Sequence, residues 1–260
     1  MRLADRVAII TGSGRGIGRA MALRFAAEGA PVIVTARTEP EIRGVVGEIS
    51  KAGGKAAFIA ADVATERGCE AIVRTAHDKF GGVHILVNNA GIYGPVKPLE
   101  EITPSEWDEA VAANLRSAFL MSRLVLLEMY ARGSGAILNI SSVAGKAAFG
   151  LNAPYAASKA GMNGLTRTLA AEAARKGVRV NAICPGPVTE TKMSKDLGQT
   201  LAERLGVSKE EQLSGFLNTI LQGRGQTANE IAAAALFLCS DQASAITGQA
   251  LNVDGGAAFY

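Results

Sequence analysis

Val7-Ala-Ile-Ile10, then Thr11-Gly-Ser-Gly-Arg-Gly-Ile-Gly18, then apolar residues at Ile17, Met21 and Phe25: this run decides how the chain folds. The first four residues are a short apolar β-segment. The last three lie four apart, on one face of a helix. Strand, glycine-rich turn and helix together aim backbone N–H groups and a helix N-terminus at a phosphate. The pattern is not GxGxxG, because Ile17 stands where the third Gly would be. It is not a P-loop either, because no Gly-Lys-Ser/Thr follows. Gly12, Arg15, Gly16, Ile17 and Gly18 are the candidates to line a phosphate group. The plain alternative is a tight turn without a ligand.

Strand and helix patterns alternate outward from this start. Val32-Ile-Val-Thr35 is a second strand, Glu41 to Lys51 a polar-faced helix, and Lys55 to Ala61 a third strand ending at Asp62. Glu66 to Phe80 is an amphipathic helix, and His84-Ile-Leu-Val-Asn88 a fourth strand before Asn89-Ala-Gly91. Thr103 to Arg132 is a long helical stretch with Trp107, Val111, Leu115 and Phe119 on one face and Asn114 next to it. Gly135 to Ile140 is a fifth strand, ending in Ser141-Ser142. A helix carrying Tyr155 and Lys159 then runs to about Lys176. Val178 to Ile183 is a sixth strand, closed by Pro185-Gly186, and Thr227 to Cys239 a last helix with Ile231, Ala235 and Leu238 on one face. Such alternation predicts parallel strands, right-handed crossovers and helices on both faces of one sheet. No repeat or linker interrupts it, so 1–260 reads as a single domain. The marked residues then fall along one edge of the sheet, where open α/β sheets bind ligands.

Two features at that edge carry chemistry. Tyr155 and Lys159 are four apart on a helix and can point into one cleft. A neighbouring ammonium favours the phenolate, which prepares a Tyr to exchange a proton with a carbonyl or an alcohol. The other feature follows the second strand, where dinucleotide folds often carry an acid that holds the adenosine ribose. Here Ala36-Arg37 stands there, and Arg37 suits a 2′-phosphate; a solvated loop Arg is the plain reading. Asp62 reads equally as a ligand-edge residue and as a helix N-cap. Asn88 reads first as a residue bonded to backbone.

Composition narrows the function further. The 260 residues carry a net charge of +3 without a basic, aromatic-interleaved stripe, so nucleic acid is not expected as a partner. No apolar run approaches the roughly 20 residues of a membrane span. Cys69, Cys184 and Cys239 are far apart and read as reduced, buried thiols of a cytoplasmic protein. Met1-Arg-Leu-Ala-Asp-Arg6 breaks with charge before any apolar run, unlike a signal peptide. The only two histidines, His77 and His84, have no metal-ligand spacing, so no metal is expected.

Thr11-Gly-Ser-Gly-Arg-Gly-Ile-Gly18, Asn88-Asn-Ala-Gly91, Ser142, Tyr155-Ala-Ala-Ser-Lys159 and Pro185-Gly186 together resemble the short-chain dehydrogenase/reductase superfamily. The resemblance covers nearly the whole chain, and Ile246 to Gly256 is similar to the family's last strand. It implies a Rossmann-type, doubly wound parallel sheet of about seven strands. It also implies hydride transfer between NAD(P)(H) and a carbonyl or secondary alcohol as small-molecule substrate. In that scheme Tyr155 is the acid/base and Ser142 holds the substrate oxygen. Lys159 bonds the nicotinamide ribose and lowers the Tyr pKa, and Asn114 seats a water that relays protons to Lys159. Asp62 and Val63 would lie against the adenine, Asn89 near its ribose, and Pro185, Gly186 and Val188 beside the nicotinamide. The family often places a Thr five residues after that Pro; Glu190 stands there instead, leaving Thr189 and Thr191 both as candidates. Residues 190–226, read as two short helices, would be the substrate lid, and the family's habit is a homotetramer. Ala36 with Arg15 and Arg37 favours NADP(H), with NAD(H) possible. A narrower reading is a 3-oxoacyl-(acyl-carrier-protein) reductase. A different class, a dinucleotide sensor without turnover, would not need Ser142, Tyr155, Lys159 and Asn114 together.

Overall fold

The computed structural model describes residues 1–259. Seven strands form one sheet: β1 (Ala8–Thr11), β2 (Val32–Ala36), β3 (Ala56–Ala60), β4 (Ile85–Asn88), β5 (Gly135–Ile140), β6 (Val178–Pro185) and β7 (Ala250–Val253). Their order is β3-β2-β1-β4-β5-β6-β7, and every neighbouring pair is parallel. The order reverses between β1 and β4, which opens a crevice at the C-terminal ends of these two strands.

The alternation of side chains along the strands explains why their sequences are apolar throughout. Ala8 and Ile10 of β1, Val32 and Val34 of β2, and Ile85 and Val87 of β4 face one layer. That layer holds α1 (Gly16–Ala27), α2 (Glu39–Lys51) and α9 (Ala228–Cys239). Ile9, Ile33 and Leu86 face the other, formed by α3 (Glu66–Phe80), α5 (Ser117–Arg132) and α6 (Ala153–Ala173). Both faces are covered, as a parallel sheet requires. Met21 and Phe25 of α1 and Ile231 and Ala235 of α9 are fully buried, as the helical spacing predicts.

The long helix departs from expectation. It is α4 (Pro104–Val111), a π-helical turn (Ala112–Arg116) and then α5. A π-turn inserts an extra residue and shifts the phase of every side chain after it. The buried seam is Ala110, Asn114, Ala118, Met121, Val125 and Met129, and at Ala110, before the π-turn, it already lies one residue from the Val111 face. Trp107 and Phe119, two residues of the apolar face read from the sequence, are 37% and 48% exposed. On length and composition alone Pro104–Arg132 could cross a bilayer, yet half of its most apolar stretch is buried inside the fold. The remaining helices, α7 (Lys192–Leu205) and α8 (Lys209–Leu217), occupy the 190–226 segment. Thr191 caps the first, and Ser208 with Glu211 forms a capping box on the second. Only Ala202 and Ile220 of this segment's apolar residues are buried. β6 continues to Pro185, beyond the expected end at Ile183, because Pro185 still pairs with Val253 at the sheet's edge region.

Candidate active site

Thr11 ends β1 and organises the first wall. Its hydroxyl accepts from the backbone N–H groups of Asn89 and Ala90, both at 3.0 Å. The Asn89 side chain returns the contact, donating to the carbonyls of Thr11 (2.8 Å) and Gly12 (3.1 Å). Asn89 thus fixes the glycine loop. Gly12 turns at φ +64° with Ala90 too close for a side chain. A Cβ on Gly18 would stand 2.3 Å from the Gly12 carbonyl oxygen. The loop is therefore pressed against the start of α1. That start, behind Arg15, has no side-chain cap and no acidic residue in its first turn. By contrast Thr65, Thr103, Thr191, Ser208 and Thr227 cap the helices they precede. An uncapped N-terminus behind a backbone-lined turn fits the pyrophosphate of a dinucleotide. Ile17 packs against the core from this first turn.

The adenosine end is more constrained than the sequence suggests. Arg37 is exposed, and among the described residues it has no ion-pair partner. Arg15 is held at 3.1 Å by Glu41, whose carboxylate also lies against Gly14. Asp62 is not an N-cap: its carboxylate accepts from Ala64 N–H at 2.9 Å, and Thr65 caps α3 instead. Val63 packs partly buried against the α3 layer. Asn88 is structural, donating to Ser122 (3.2 Å) and Asn139 (2.9 Å) inside the sheet.

On the other side of the crevice, Gly186 has no room for a side chain beneath Gln226 and Asp254, and Val188 is buried. Glu190 turns away and accepts from Ala228 N–H at 2.8 Å, at the start of α9. Thr189 packs under Gly225, whereas the Thr191 methyl lies beside Gly16, 3.3 Å from where a Cβ would be. Of the two threonines, Thr191 reaches the glycine loop.

Between these walls stand Ser142, Tyr155 and Lys159. Ser142 follows β5 and caps a short turn, its hydroxyl accepting from Ala144 N–H at 3.1 Å. Tyr155 and Lys159 come from the first two turns of α6, and the Ser142 hydroxyl is close enough to that of Tyr155 to favour its ionised form. Lys159 is 4% exposed, donates to the Ile140 carbonyl at 2.7 Å and lies 5.6 Å from the centre of the Tyr155 ring. Burial pushes Lys159 down to about 8 and Tyr155 up to about 12; the nearby Ser142 hydroxyl only partly opposes the latter. The expected lowering of the Tyr pKa by Lys159 is absent: desolvation raises it, and the ammonium is directed at Ile140 and the ring face.

Asn114 enters through the π-turn and is completely buried. Its oxygen accepts from Ile92 N–H (2.8 Å). Its nitrogen donates to the Ile92 carbonyl (3.0 Å) and to Ser158 (2.9 Å), which in turn donates to the Tyr155 carbonyl (2.7 Å). Both amide protons are used, leaving one lone pair on the oxygen. That oxygen and the Lys159 ammonium meet across Gly91, 2.7 and 3.7 Å from the point a Cβ would occupy. A water there could bond both groups.

Sequence reading missed Thr11, Glu41 and, next to Tyr155, Tyr93 with its partner Asn152. Tyr93 stacks on Tyr155 with ring centres 4.6 Å apart, and Asn152 donates to its hydroxyl at 3.1 Å. Tyr93 follows Gly91 by two residues, and Asn152 precedes Tyr155 by three. Those offsets are the only signal the sequence offered. Among the described residues no group of three or more His, Cys, Asp or Glu could hold a metal.

The family model described as short chain dehydrogenase matches residues 6–202. The chain belongs to the short-chain dehydrogenase/reductase family. It is 38% identical to the 3-oxoacyl-(acyl-carrier-protein) reductase of Escherichia coli (strain K12), over 98% of each chain. An actinorhodin polyketide ketoreductase solved with NADPH superposes with a TM-score of 0.94 at 38% identity, covering 98% of each chain. A 7α-hydroxysteroid dehydrogenase solved with NADH and 7-oxo glycochenodeoxycholic acid gives a TM-score of 0.90 at 38% identity. That match covers 98% of this chain and 95% of the other. The protein is an NAD(P)(H)-dependent oxidoreductase that interconverts a carbonyl and an alcohol.

Proposed function

We propose that the chain is an NADP(H)-preferring reductase of small ketones, with Tyr155 as proton donor. The observation that carries this reading is the convergence of Ser142, Tyr155 and Lys159 beside the uncapped glycine loop. A bound nicotinamide dinucleotide supplies the hydride, or accepts it in the reverse direction. Gly12, Gly16, Gly18 and Thr191 would hold its pyrophosphate, with Ile17 beneath. Asp62, Val63 and Asn89 would border the adenosine, and Pro185, Gly186, Val188 and Thr189 would back the nicotinamide.

The chain's own groups handle the proton. The Ser142 oxygen accepts from Ala144 N–H, and its hydroxyl proton can turn from Tyr155 to the substrate oxygen. With a pKa pushed up to about 12, Tyr155 keeps its proton at neutral pH. It gives that proton up only as negative charge develops on the substrate oxygen, as a general acid should. Lys159, near 8, is still mostly an ammonium at neutrality and stabilises the phenolate left behind. Its proton can be replaced from a water held by the remaining lone pair of Asn114.

NADP(H) preference is supported by the absence of an acid at Ala36 and by the exposed Arg37, with Arg15 divided between phosphate and Glu41. The exposed apolar residues of α7 and α8 support a lid that closes on substrate. A groove of about 400 Å³ between α5 and α6, lined by Phe119, Leu126, Leu127, Tyr130, Leu165 and Leu169, supports an interface with a second copy, as the homotetramer implied by the family resemblance would need. Three unpaired, buried cysteines support a cytoplasmic location. The likeness to the Escherichia coli enzyme favours 3-oxoacyl thioesters as a second substrate reading.

The test follows NADPH oxidation with a panel of ketones, diketones, sugars and 3-oxoacyl thioesters. Turnover of at least one member, with a higher kcat/KM for NADPH than for NADH, is expected. No turnover with any member would overturn the reading as a ketone reductase, and a preference for NADH would overturn the cofactor assignment.

A further inference from the structure

Asn152 holds a place where an Asn ordinarily caps a helix. It is the N-cap residue of α6, yet its side chain makes no cap bond. The amide is instead turned onto the Tyr93 hydroxyl, donating at 3.1 Å. Two further costs accompany that choice. Leu151, immediately before it, stands at φ +66°, a conformation that a branched, non-glycine residue adopts only under constraint. The Leu151 carbonyl is pinned by Lys97 N–H at 3.1 Å. Asn152 itself is 2% exposed, and its amide oxygen has no hydrogen-bond partner. A lost cap, a strained residue and an orphaned buried oxygen at one position are costs that folding alone does not explain.

What these costs secure is the state of Tyr93. With the Asn152 amide donating to the phenol oxygen, that hydroxyl is set as a donor, and among the described residues its proton has no acceptor. The ring lies on that of Tyr155, with 4.6 Å between centres and 27° between planes, so Tyr93 packs directly against the residue that moves the proton. Burial raises the Tyr93 pKa, so the phenol stays protonated near neutrality.

We propose that Tyr93, positioned by Asn152, is a second recognition point that selects ketones carrying another hydrogen-bond-accepting oxygen near the reacting carbonyl. Diketones, hydroxyketones and 3-oxo esters belong to that class; simple alkanones and cycloalkanones do not. The inference rests on the ketone-reductase reading and deepens it: Tyr155 and Ser142 take the reacting oxygen, and Tyr93 takes its neighbour. Tyr93 touches the substrate; Asn152 is a positioning residue.

The experiment compares kcat/KM for paired substrates: cyclohexane-1,4-dione with cyclohexanone, and ethyl 3-oxobutanoate with 2-hexanone. Each ratio is measured in the wild type, Tyr93→Phe, Asn152→Ala and the double variant. Differences in intrinsic reactivity cancel when the ratios are compared across variants. Loss of one neutral hydrogen bond should lower the ratio about three- to tenfold in Tyr93→Phe. Asn152→Ala should lower it less, and the double variant no further than Tyr93→Phe. A merely structural role would lower both members of a pair together and leave the ratio unmoved. A second measurement needs no variant: the best of the cyclohexane-1,2-, 1,3- and 1,4-diols should be oxidised with a kcat/KM several-fold above cyclohexanol. Ratios in Tyr93→Phe within twofold of wild type, or diols no better than cyclohexanol, would overturn the proposal and leave the ketone-reductase reading standing. No turnover of any pair would overturn both.

Discussion

Replacing Asn114 by Ala removes three hydrogen bonds from a side chain with no exposure to solvent. The Ile92 N–H and carbonyl lose their partner, and each buried group left unsatisfied costs about 1–3 kcal/mol. Ser158 loses an accepted bond but keeps its own donation to the Tyr155 carbonyl, so its share is smaller. Water entering the small polar cavity would recover part of the loss. The net expectation is a destabilisation of about 3 kcal/mol. For a chain of this size that lowers Tm by roughly 6–12 °C. Urea unfolding should show a lower midpoint at unchanged slope. Turnover, measured well below the new Tm, should also fall, because the oxygen facing Lys159 across Gly91 is gone. A variant within 1 kcal/mol of wild type and with unchanged kcat would refute both the bond accounting and the placing of Asn114 in the proton path.

The double change Ala36→Asp and Arg37→Ile introduces a carboxylate and removes the unpaired guanidinium. It should reverse the preference for NADPH over NADH, read as the ratio of kcat/KM values at fixed ionic strength; an unchanged ratio would mean that Arg37 points into solvent. Because burial holds Lys159 near 8, kcat/KM for the dinucleotide should decline as pH rises through about 8 and the ammonium is lost. Lys159→Met should bind the dinucleotide more weakly and lack that limb; a limb that persists in this variant would assign it to another group.

Much of this was legible in the residues, and the misses have physical reasons. The helix from Glu66 to Phe80 matches its expected bounds because Thr65 and the left-handed Gly81 give it a start and a stop in the sequence. Strands buried on both faces are apolar runs whichever layer they meet, so β1, β2 and β5 stood out. The π-turn at Ala112–Arg116 did not, since a 3.6-residue period carries no mark of an inserted residue; the buried seam itself begins at Ala110, a small residue beside the larger Trp107 and Val111 that drew the apolar pattern. The Arg15–Glu41 pair, the turning of Glu190 to α9 and the Tyr93–Asn152 contact join residues 26, 38 and 59 positions apart. No local pattern announces such meetings. The shift of Tyr155 away from its expected direction has a similar origin: the spacing to Lys159 was visible, but the burial of both was not.

The central claim is that Tyr155 moves the proton, and Tyr155→Phe tests it most directly. The substitution keeps the ring that stacks on Tyr93 and removes only the hydroxyl that meets Ser142. Loss of general acid–base help lowers rates on the order of 10²–10⁴-fold. The account predicts a fall in kcat of that size for ketone reduction, with dinucleotide affinity and Tm nearly unchanged. A Phe variant that keeps most of its turnover would contradict it.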